Sequence, residues 1–355
     1  MKRRVSNHLE NWMALIPFRI SRNTWYDFPC VVCEIEEDGL IGRGEALGVY
    51  YLGETEKSML EQLDSIIDDL GKQANRQDLL KLLPPGGARA AADAALWDLE
   101  AKLTGTSAWE TAGVSPDPIE TVFTIGLEAE PEEMGARAAA ASDLSLFKVK
   151  LNDDRPVERI AAIREARPDA RLVIDVNEGW EFDQLREVAP ALADFGVGMI
   201  EQPLRRGHDE ELEGYNSPLP LCADESCQHA DDLDLVARRY QMINIKLDKC
   251  GGLTHGLELA AAAKDKDLGI MVGCMGGTSL CMAPMHVLAQ RADFVDIDGP
   301  LLLKNDRLGG FVYDHAVSAA CTGEDNINIG IAEYAVAGGL SDFLACAGFF
   351  DIQPL

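Results

Sequence analysis

The 355-residue sequence has no apolar run long enough to span a membrane and no low-complexity tract. Basic residues are scarce, because 32 lysines and arginines stand against 60 aspartates and glutamates, for a formal net charge of −28. This charge argues against nucleic acid and anionic membrane surfaces as partners. It fits a soluble protein of the cytosol.

The nine cysteines lack the spacing of a disulfide framework, which indicates a reducing compartment. The basic start at residues 1–4 is followed by polar residues, whereas a signal peptide would continue with an apolar segment. We therefore expect a cytoplasmic protein. It could form a homo-oligomer, but no sequence feature decides its oligomeric state.

The N-terminal third of the chain predicts a mixed α+β domain. Strand-like runs at 31–35 and 40–44 flank Asp38-Gly39, a hairpin signal. Helical periodicity follows at about 54–70 and 88–103, and residues 17–23 are expected to form a polar loop. We expect three units, listed in chain order: an α+β capping domain at 1–115, a barrel at 116–308, and a C-terminal segment at 309–355 that returns to the cap.

Beyond about residue 121, short apolar runs alternate with amphipathic helical segments. There are eight such runs: 121–126, 146–150, 172–175, 198–201, 219–224, 242–246, 270–274 and 294–298. Helices are expected between them, for example at 157–166, 253–264 and 279–290. Eight strands with helical crossovers predict an α/β fold, a modified (β/α)8-type TIM barrel covered by the cap.

Acidic residues end three successive predicted strands. Asp175, Glu201 and Asp224 would converge at the carboxyl end of the barrel, where active sites of this fold lie. Three neighbouring carboxylates repel one another unless a cation lies between them. Their oxygen atoms suit one hard divalent cation. We therefore predict a Mg²⁺ site formed by these three residues.

Lysines end the second and sixth predicted strands. Lys148 and Lys150 point to the same face of their strand, and this crowding is expected to lower the pKa of one of them. Lys246 lies four strands away, so Lys150 and Lys246 face each other across the predicted metal. One lysine could remove the α-proton of a metal-bound carboxylate substrate, the metal would stabilise the enediolate, and the other lysine could reprotonate the opposite face.

Five motifs together resemble those of the enolase superfamily, muconate-lactonizing subgroup: Lys148-Val-Lys150, Asp175-Val-Asn177, Glu201-Gln-Pro203, Ala223-Asp-Glu-Ser226 and Lys246-Leu-Asp248. The resemblance covers the whole chain. It implies that Lys150 and Lys246 are the acid/base pair and that the three acids bind the metal. Asn177 and Asp248 share strand faces with these motifs, and we assign them supporting roles behind the site.

Within the subgroup, Asp296-Ile-Asp298 is similar to the signature of dipeptide epimerases, in which both aspartates hold the α-ammonium group of the substrate. Lys148 and Thr124 are also assigned to substrate binding. The resemblance to Ala-Glu epimerases places Arg22 where an arginine meets the glutamate side chain. These assignments predict an enzyme, a Mg²⁺-dependent dipeptide epimerase of the isomerase class that acts on the C-terminal residue, with an L-Ala-L/D-Glu-type substrate.

Other functions remain open at this stage. N-acylamino acid racemases, o-succinylbenzoate synthases and cycloisomerases share the lysines and metal ligands, and only the two aspartates argue against them. A Schiff-base aldolase using Lys246 would not need the acidic cluster. A catalytically idle barrel would bind metal without exchanging any α-proton, and the intact lysine pair argues against it. No histidine ends a predicted strand, and Cys274-Met275 stands where sugar-acid dehydratases of the superfamily carry one.

Overall fold

The computed structural model of the protein describes residues 3–21, 23–314 and 318–320. Its N-terminal part is an antiparallel sheet in the order β1-β2-β3, with strands Arg4–Arg19 (β1), Thr24–Glu37 (β2) and Leu40–Ala46 (β3). The β2–β3 connection turns at Asp38 and Gly39, which have φ angles of 53° and 82°. Two consecutive positive φ angles match the twist of the flanking strands. The predicted hairpin is confirmed.

Helices complete the cap: Glu56–Ser65 (α1), Ile67–Gly71 (α2), Arg76–Leu82 (α3), Gly87–Thr104 (α4) and Ala108–Thr111 (α5). Helix α4 crosses the sheet at very short range. A Cβ atom on Gly42 would lie 2.2 Å from the carbonyl oxygen of Ala95, and one on Gly44 would lie 2.1 Å from that of Ala91. Glycine at these two positions is therefore what allows the sheet and the helix to pack.

Two details of the predicted cap are wrong. The single helix predicted at 54–70 is two helices, α1 and α2, which are separated at Ile66. The predicted loop at 17–23 is shorter, since Pro17–Arg19 belongs to the long strand β1. Strand β1 escaped prediction because most of its side chains are partly or fully exposed, so it lacks an apolar alternation.

The second part of the chain forms an eight-stranded parallel sheet in sequential order. Its strands are Phe123–Ile125 (β4), Leu146–Lys150 (β5), Arg171–Asp175 (β6), Val197–Glu201 (β7), Leu221–Ala223 (β8), Met242–Lys246 (β9), Gly269–Gly273 (β10) and Phe294–Asp296 (β11). At the open edge, the Val122 N–H donates to the Val295 carbonyl oxygen at 2.8 Å, so the sheet nearly closes on itself. The predicted barrel is confirmed.

The crossover helices are Pro131–Ala140 (α6), Pro156–Ala166 (α7), Phe182–Asp194 (α8), Leu233–Val236 (α9), Leu247–Cys250 (α10), Leu253–Lys264 (α11) and Ser279–Ala289 (α12). Short 3₁₀ helices lie at Tyr50–Leu52, Glu210–Leu212, Ala230–Asp232 and Gly299–Leu302. Strands Val312–Asp314 (β12) and Ser318–Ala320 (β13) form a final antiparallel pair. The rest of the segment predicted to return to the cap lies outside the described residues. Within the described ranges, no helix is both long and apolar enough to cross a membrane.

The barrel interior is apolar at one end and charged at the other. Leu146, Val173 and Met199 belong to a buried apolar cluster inside the barrel. Two residues further along β6 and β7, on the same face of each strand, stand Asp175 and Glu201. Strand register sets Lys150 beside Asp175 and Asp175 beside Glu201. The barrel thus presents its charged groups in one ring above an apolar floor.

Helix α4 also fixes the cap to the barrel. Arg89 donates to the carbonyl oxygens of Cys250 and Gly251 at 2.6 and 3.0 Å. One turn later, the Asp93 carboxylate accepts hydrogen bonds from the backbone N–H and the hydroxyl of Thr254, at 3.0 and 2.5 Å. Both side chains are buried. These contacts hold the segment that directly follows Lys246.

The buried hydrogen bonds between Asp93 and Thr254 predict a pH dependence of folding stability. Burial raises the pKa of Asp93 to about 6, although Thr254, Arg76 and Arg89 act to lower it. The folded protein therefore binds this proton more tightly than the unfolded chain, so this contribution to stability falls as pH rises from about 4 to about 6. The loss should be about 3 kcal/mol. In Asp93→Asn, which mimics the protonated acid, that part of the dependence should vanish.

The measurement is the free energy of unfolding by urea at several pH values from 4 to 7, for wild type and variant in parallel. The difference between the two curves isolates Asp93 from the many other carboxylates. A difference that stays flat over this window, or changes in the opposite direction, would contradict the assignment.

Candidate active site

A cavity of about 250 Å³ lies where the cap meets the charged end of the barrel. The cap supplies an aromatic wall. The rings of Trp25 and Tyr50 pack edge to face with their centroids 5.3 Å apart, and the rings of Tyr50 and Tyr51 do so at 5.2 Å. The barrel supplies polar groups: Thr124, Lys148, Lys150, Asn177, Asp224, Glu225, Lys246, Asp296 and Asp298. An apolar wall opposite several ionised groups is typical of a small-molecule site.

Lys148 lies at the centre of the acidic groups. Its ammonium nitrogen is 2.7 Å from Asp296, 2.8 Å from Glu201 and 3.1 Å from Asp175. Burial lowers the pKa of Lys148, but the three carboxylates outweigh burial and raise it well above its usual value. Lys148 is therefore not the lysine of the pair whose pKa is lowered, because its immediate neighbours are anions. Lys148 favours its protonated form in this arrangement.

Lys150 and Lys246 each contact one of the predicted metal ligands. The Lys150 nitrogen is 2.5 Å from Asp175 and 3.3 Å from the side-chain oxygen of Asn177. The Lys246 nitrogen is 2.8 Å from Asp224. Strands β5 and β9, which carry these two lysines, are four apart in the ring of eight, and both side chains line the cavity. The predicted pair thus approaches the cavity from opposite sides of the barrel.

The predicted metal ligands are fully buried carboxylates at the ends of adjacent strands. Asp175 and Glu201 have no exposed surface, and Asp224 has 1%. Oε2 of Glu201 and Oδ2 of Asp224 lie near lysine nitrogens but accept no well-oriented hydrogen bond from the described residues. Three buried carboxylates, two of which have an oxygen without a hydrogen-bond partner, fit a divalent cation such as Mg²⁺.

The tightest grouping of potential ligand atoms among residues 3–21, 23–314 and 318–320 is a different one. One atom each of Cys274, Asp296 and Asp298 lies within 4.8 Å of the others. A thiol is a poor ligand for Mg²⁺. This group is better described as a buried carboxylate pair beside a half-buried thiol.

The two aspartates of the Asp-x-Asp motif have different partners. Asp296 is paired with Lys148, which lowers its pKa against the opposing effect of burial. Asp298 accepts a hydrogen bond from the backbone N–H of Thr124 at 2.6 Å, and burial followed by repulsion from Asp296 raises its pKa to about 8. The pair therefore attracts a further proton or another cation at neutral pH. Thr124 reaches this pair through its backbone.

Two predicted supporting residues behave differently. Asn177 contacts Lys150 directly, whereas the carboxylate of Asp248 accepts the backbone N–H of Leu47 at 2.9 Å and so holds a cap segment against the barrel. Burial raises the pKa of Asp248 to about 7. Arg22, the predicted contact for a glutamate side chain, lies outside the described residues.

Comparison with known proteins agrees with this architecture. The family model for the N-terminal domain of mandelate racemase and muconate lactonizing enzyme matches residues 2–113, and the model for an enolase C-terminal domain-like fold matches residues 133–303. The chain belongs to the mandelate racemase/muconate lactonizing enzyme family.

Curated relatives in this family include an L-Ala-D/L-Glu epimerase from Escherichia coli, which is 40% identical over 84% of this chain and 93% of its own length. An N-acetyl-D-glutamate racemase from Pseudoalteromonas is 38% identical over 80% of this chain and 90% of its own.

Solved structures give the same picture. An Agrobacterium tumefaciens enolase family member with homology to dipeptide epimerases, with bound sodium and L-Ala-L-Glu, has a TM-score of 0.87 and 39% identity, covering 89% of this chain and 97% of that one. A dipeptide epimerase from Enterococcus faecalis, complexed with Mg and L-Leu-L-Tyr, has a TM-score of 0.85 and 26% identity, covering 93% and 99%.

In this member of the mandelate racemase/muconate lactonizing enzyme family, three residues hold the predicted metal ligands in place and were not predicted from the sequence. Asn244 donates to Glu201 at 2.7 Å, and Lys249 donates to both the carboxylate and the backbone oxygen of Asp224 at 2.6 Å. The side-chain oxygen of Gln202 accepts the backbone N–H groups of Asp224 and Ser226. Asn244 was detectable, because it precedes Lys246 by two residues and shares its strand face. Lys249 was not, since it reaches the site from the helical turn α10.

Proposed function

We propose that this protein is a Mg²⁺-dependent dipeptide epimerase that inverts the α-carbon of the C-terminal residue, with L-Ala-L-Glu and its epimer as the substrate type. The opposed placement of Lys150 and Lys246 on strands β5 and β9 carries the proposal, because inversion needs one proton donor and one acceptor on opposite faces of a carbon. We further infer a cytoplasmic location, as the acidic composition suggests.

Each residue of the site has a role that follows from its position. Lys150 removes or returns the α-proton on one face of the substrate, and Lys246 acts on the other. Asp175, Glu201 and Asp224 would hold Mg²⁺, which would supply positive charge that makes the α-proton of a carboxylate substrate more acidic. Lys148 contacts Asp175, Glu201 and Asp296. Its charge helps to lower the pKa values of Asp175 and Asp296 against the effect of burial, whereas burial and the neighbouring Asp175 raise the pKa of Glu201.

The Asp296–Asp298 pair supports a substrate with a free amino terminus. The two carboxylates line the cavity, and repulsion between them is relieved when a cation lies alongside. A substrate ammonium group is such a cation, whereas the N-acyl group of an acylated amino acid is neutral. This difference favours a dipeptide over an N-acylated amino acid.

The ammonium assignment predicts a selective defect in Asp298→Asn. The variant keeps the Lys148–Asp296 pair intact and can still accept the Thr124 N–H, but it cannot release a proton to become a carboxylate when the ammonium group binds. KM for a free dipeptide should rise roughly 10- to 100-fold, because a hydrogen bond to a charged group is worth about 1.5–3 kcal/mol. KM for an N-acetylated amino acid should change little. Steady-state kinetics on both substrate types measures this, and a larger defect with the acylated substrate would refute the assignment.

One rival has specific support, since a 38% identical relative is an N-acetyl-D-glutamate racemase. It would use the same lysines and acids. A Schiff-base aldolase relying on Lys246 is distinguished by chemistry, because borohydride would trap its covalent imine with substrate. The Lys246–Asp224 contact favours a protonated, non-nucleophilic amine at rest.

The deciding experiment is α-proton exchange in D₂O. The Mg²⁺-loaded protein is incubated with L-Ala-L-Glu, a small dipeptide panel and N-acetylglutamate, and the α-proton signals are followed by NMR. Loss of the C-terminal residue's signal together with appearance of the diastereomer supports the epimerase. Exchange confined to N-acetylglutamate would replace it by the racemase.

A further inference from the structure

The three predicted metal ligands share a feature that proton transfer by itself does not require. In each carboxylate, one oxygen faces the lysines of the site and the other is held by a hydrogen-bond donor. For Asp175, Oδ2 lies 2.5 Å from the Lys150 nitrogen, whereas Oδ1 accepts the backbone N–H of Asn177 at 2.9 Å. Asn177 has a φ angle of 47°, in the left-handed region where asparagine is enriched, which fits this tight turn.

Glu201 is held in the same way by Asn244. The side-chain amide of Asn244 donates to Oε1 of Glu201 at 2.7 Å, while Oε2 lies 2.8 Å from the Lys148 nitrogen. Asn244 is 1% exposed and fills space that Gly273 leaves open on the neighbouring strand β10, since a Cβ atom there would lie 2.6 Å from Oδ1 of Asn244. The amide is therefore confined to a position in which its N–H₂ group points at Glu201.

Lys249 holds the third carboxylate. Its ammonium group donates to Oδ1 of Asp224 at 2.6 Å and to the backbone oxygens of Asp224, Cys227 and Asn244 at 2.6, 3.0 and 3.0 Å. These acceptors use all the protons of the ammonium group. Lys249 is 2% exposed and lies outside the set of described residues that line the cavity, so it cannot meet the substrate. Oδ2 of Asp224 is left facing Lys246 at 2.8 Å.

This arrangement limits how the carboxylates can bind a metal ion. A carboxylate whose second oxygen is already hydrogen-bonded offers one ligand atom unless that bond breaks. The three atoms on offer are Oδ2 of Asp175, Oε2 of Glu201 and Oδ2 of Asp224. Mg²⁺ demands near-ideal octahedral geometry and keeps several waters, whereas Ca²⁺ takes about six to eight oxygens and often binds both oxygens of a carboxylate. One atom from each carboxylate therefore favours Mg²⁺.

We propose that Lys249 and Asn244 determine the metal selectivity of the site, because each holds one oxygen of a metal ligand and so limits Asp224 and Glu201 to one ligand atom apiece. The inference rests on the proposed function and deepens it by naming the residues that select Mg²⁺ over Ca²⁺. It gives a lysine outside the cavity a part in the choice of cofactor. A purely structural role for these two side chains would affect folding without changing the relative affinity for the two cations.

The test is calorimetric titration of the metal-free full-length protein with MgCl₂ and with CaCl₂, for wild type, Lys249→Met and Asn244→Leu. Because both cations carry the same charge, the ratio of their dissociation constants reports ligand number and geometry, and the loss of the lysine charge largely cancels. Affinity for Ca²⁺ relative to Mg²⁺ should rise about tenfold in each variant. Lys102→Met is the matched control, since Lys102 is a buried lysine bonded to Asp98 in the cap, and it should keep the wild-type ratio.

Urea unfolding of each metal-free variant shows whether it is folded at the start of the titration. If Lys249→Met does not fold, Asn244→Leu and wild type carry the test. An unchanged ratio in a folded variant would overturn the role of that residue, and wild type that binds Ca²⁺ more tightly than Mg²⁺ would overturn the proposal as a whole. The proposed function is judged separately, by α-proton exchange. A shifted ratio in protein that exchanges no α-proton would support the selectivity and overturn the epimerase.

Discussion

Lys150→Ala and Lys246→Ala should each abolish epimerisation. Each variant should still exchange the α-proton of one epimer of the dipeptide with solvent, but not that of the other. Each lysine serves one face of the α-carbon, so the remaining lysine can still remove and return the proton on its own side. Epimerisation should fall by about 10³-fold or more, in line with the usual contribution of a general acid or base. The two variants should differ in which epimer of the dipeptide takes up deuterium.

The measurement is NMR in D₂O with each epimer supplied separately. Lys57→Ala, whose side chain is 85% exposed on the cap helix α1, is the matched control and should behave as wild type. Mg²⁺ titration of both active-site variants checks that the carboxylates still bind metal. If either variant exchanged both epimers at comparable rates, the two-base mechanism would be wrong.

Lys148→Met should cost the largest amount of folding stability of any single change in the site. The lysine is 1% exposed and touches three carboxylates, and methionine fills a similar volume without a charge. Removing one partner of a buried ion cluster typically costs about 3–5 kcal/mol, because uncompensated charges are left behind. We expect that loss in urea unfolding of protein freed of metal with EDTA.

Added Mg²⁺ should return part of this stability in Lys148→Met, since a dication can neutralise the same carboxylates. At about 100 times the dissociation constant, ligand binding contributes about 2.7 kcal/mol. Lys102→Met is the matched control, because Lys102 is also buried and bonded to a carboxylate, that of Asp98, but lies in the cap. Its metal site is intact, so Mg²⁺ should stabilise it only as much as wild type, whereas Lys148→Met should gain more. If Mg²⁺ stabilised none of the three proteins, the metal site would be refuted.

The barrel and its charged rim were predictable because the relevant pattern is local. Each parallel strand is a short apolar run, and the last residue of several runs carries a charge, as at Asp175, Glu201 and Lys246. Parallel order then brings those ends together whatever the details of the crossovers. The family assignment and the fold are confirmed on this basis, while the roles of the individual site residues remain predictions.

What escaped prediction depends on distant contacts. Strand β1 is held by pairing with β2 and not by an apolar pattern of its own. Asp248 reaches a backbone group 201 residues away, at Leu47, so no spacing in the sequence reveals the contact. The carboxylates around Lys148 were hidden for the same reason, since Asp296, its nearest partner, lies 148 residues further on.

The cavity is lined by two parts of the chain, the N-terminal cap and the barrel, which contribute different kinds of side chain. Its aromatic wall, which includes Trp25, Tyr50 and Tyr51, comes from the first 56 residues, which also contribute Asp27, Glu54 and Glu56. The groups proposed for proton transfer and ammonium binding, Lys150, Lys246, Asp296 and Asp298, stand on the barrel. The polar contacts that fix the cap to the barrel use other residues, such as Leu47 with Asp248, Glu45 with Thr278 and Asp93 with Thr254. Selection can therefore exchange the wall and leave the proton-transfer groups untouched, so that one inherited reaction serves new peptides through changes confined to the amino-terminal segment.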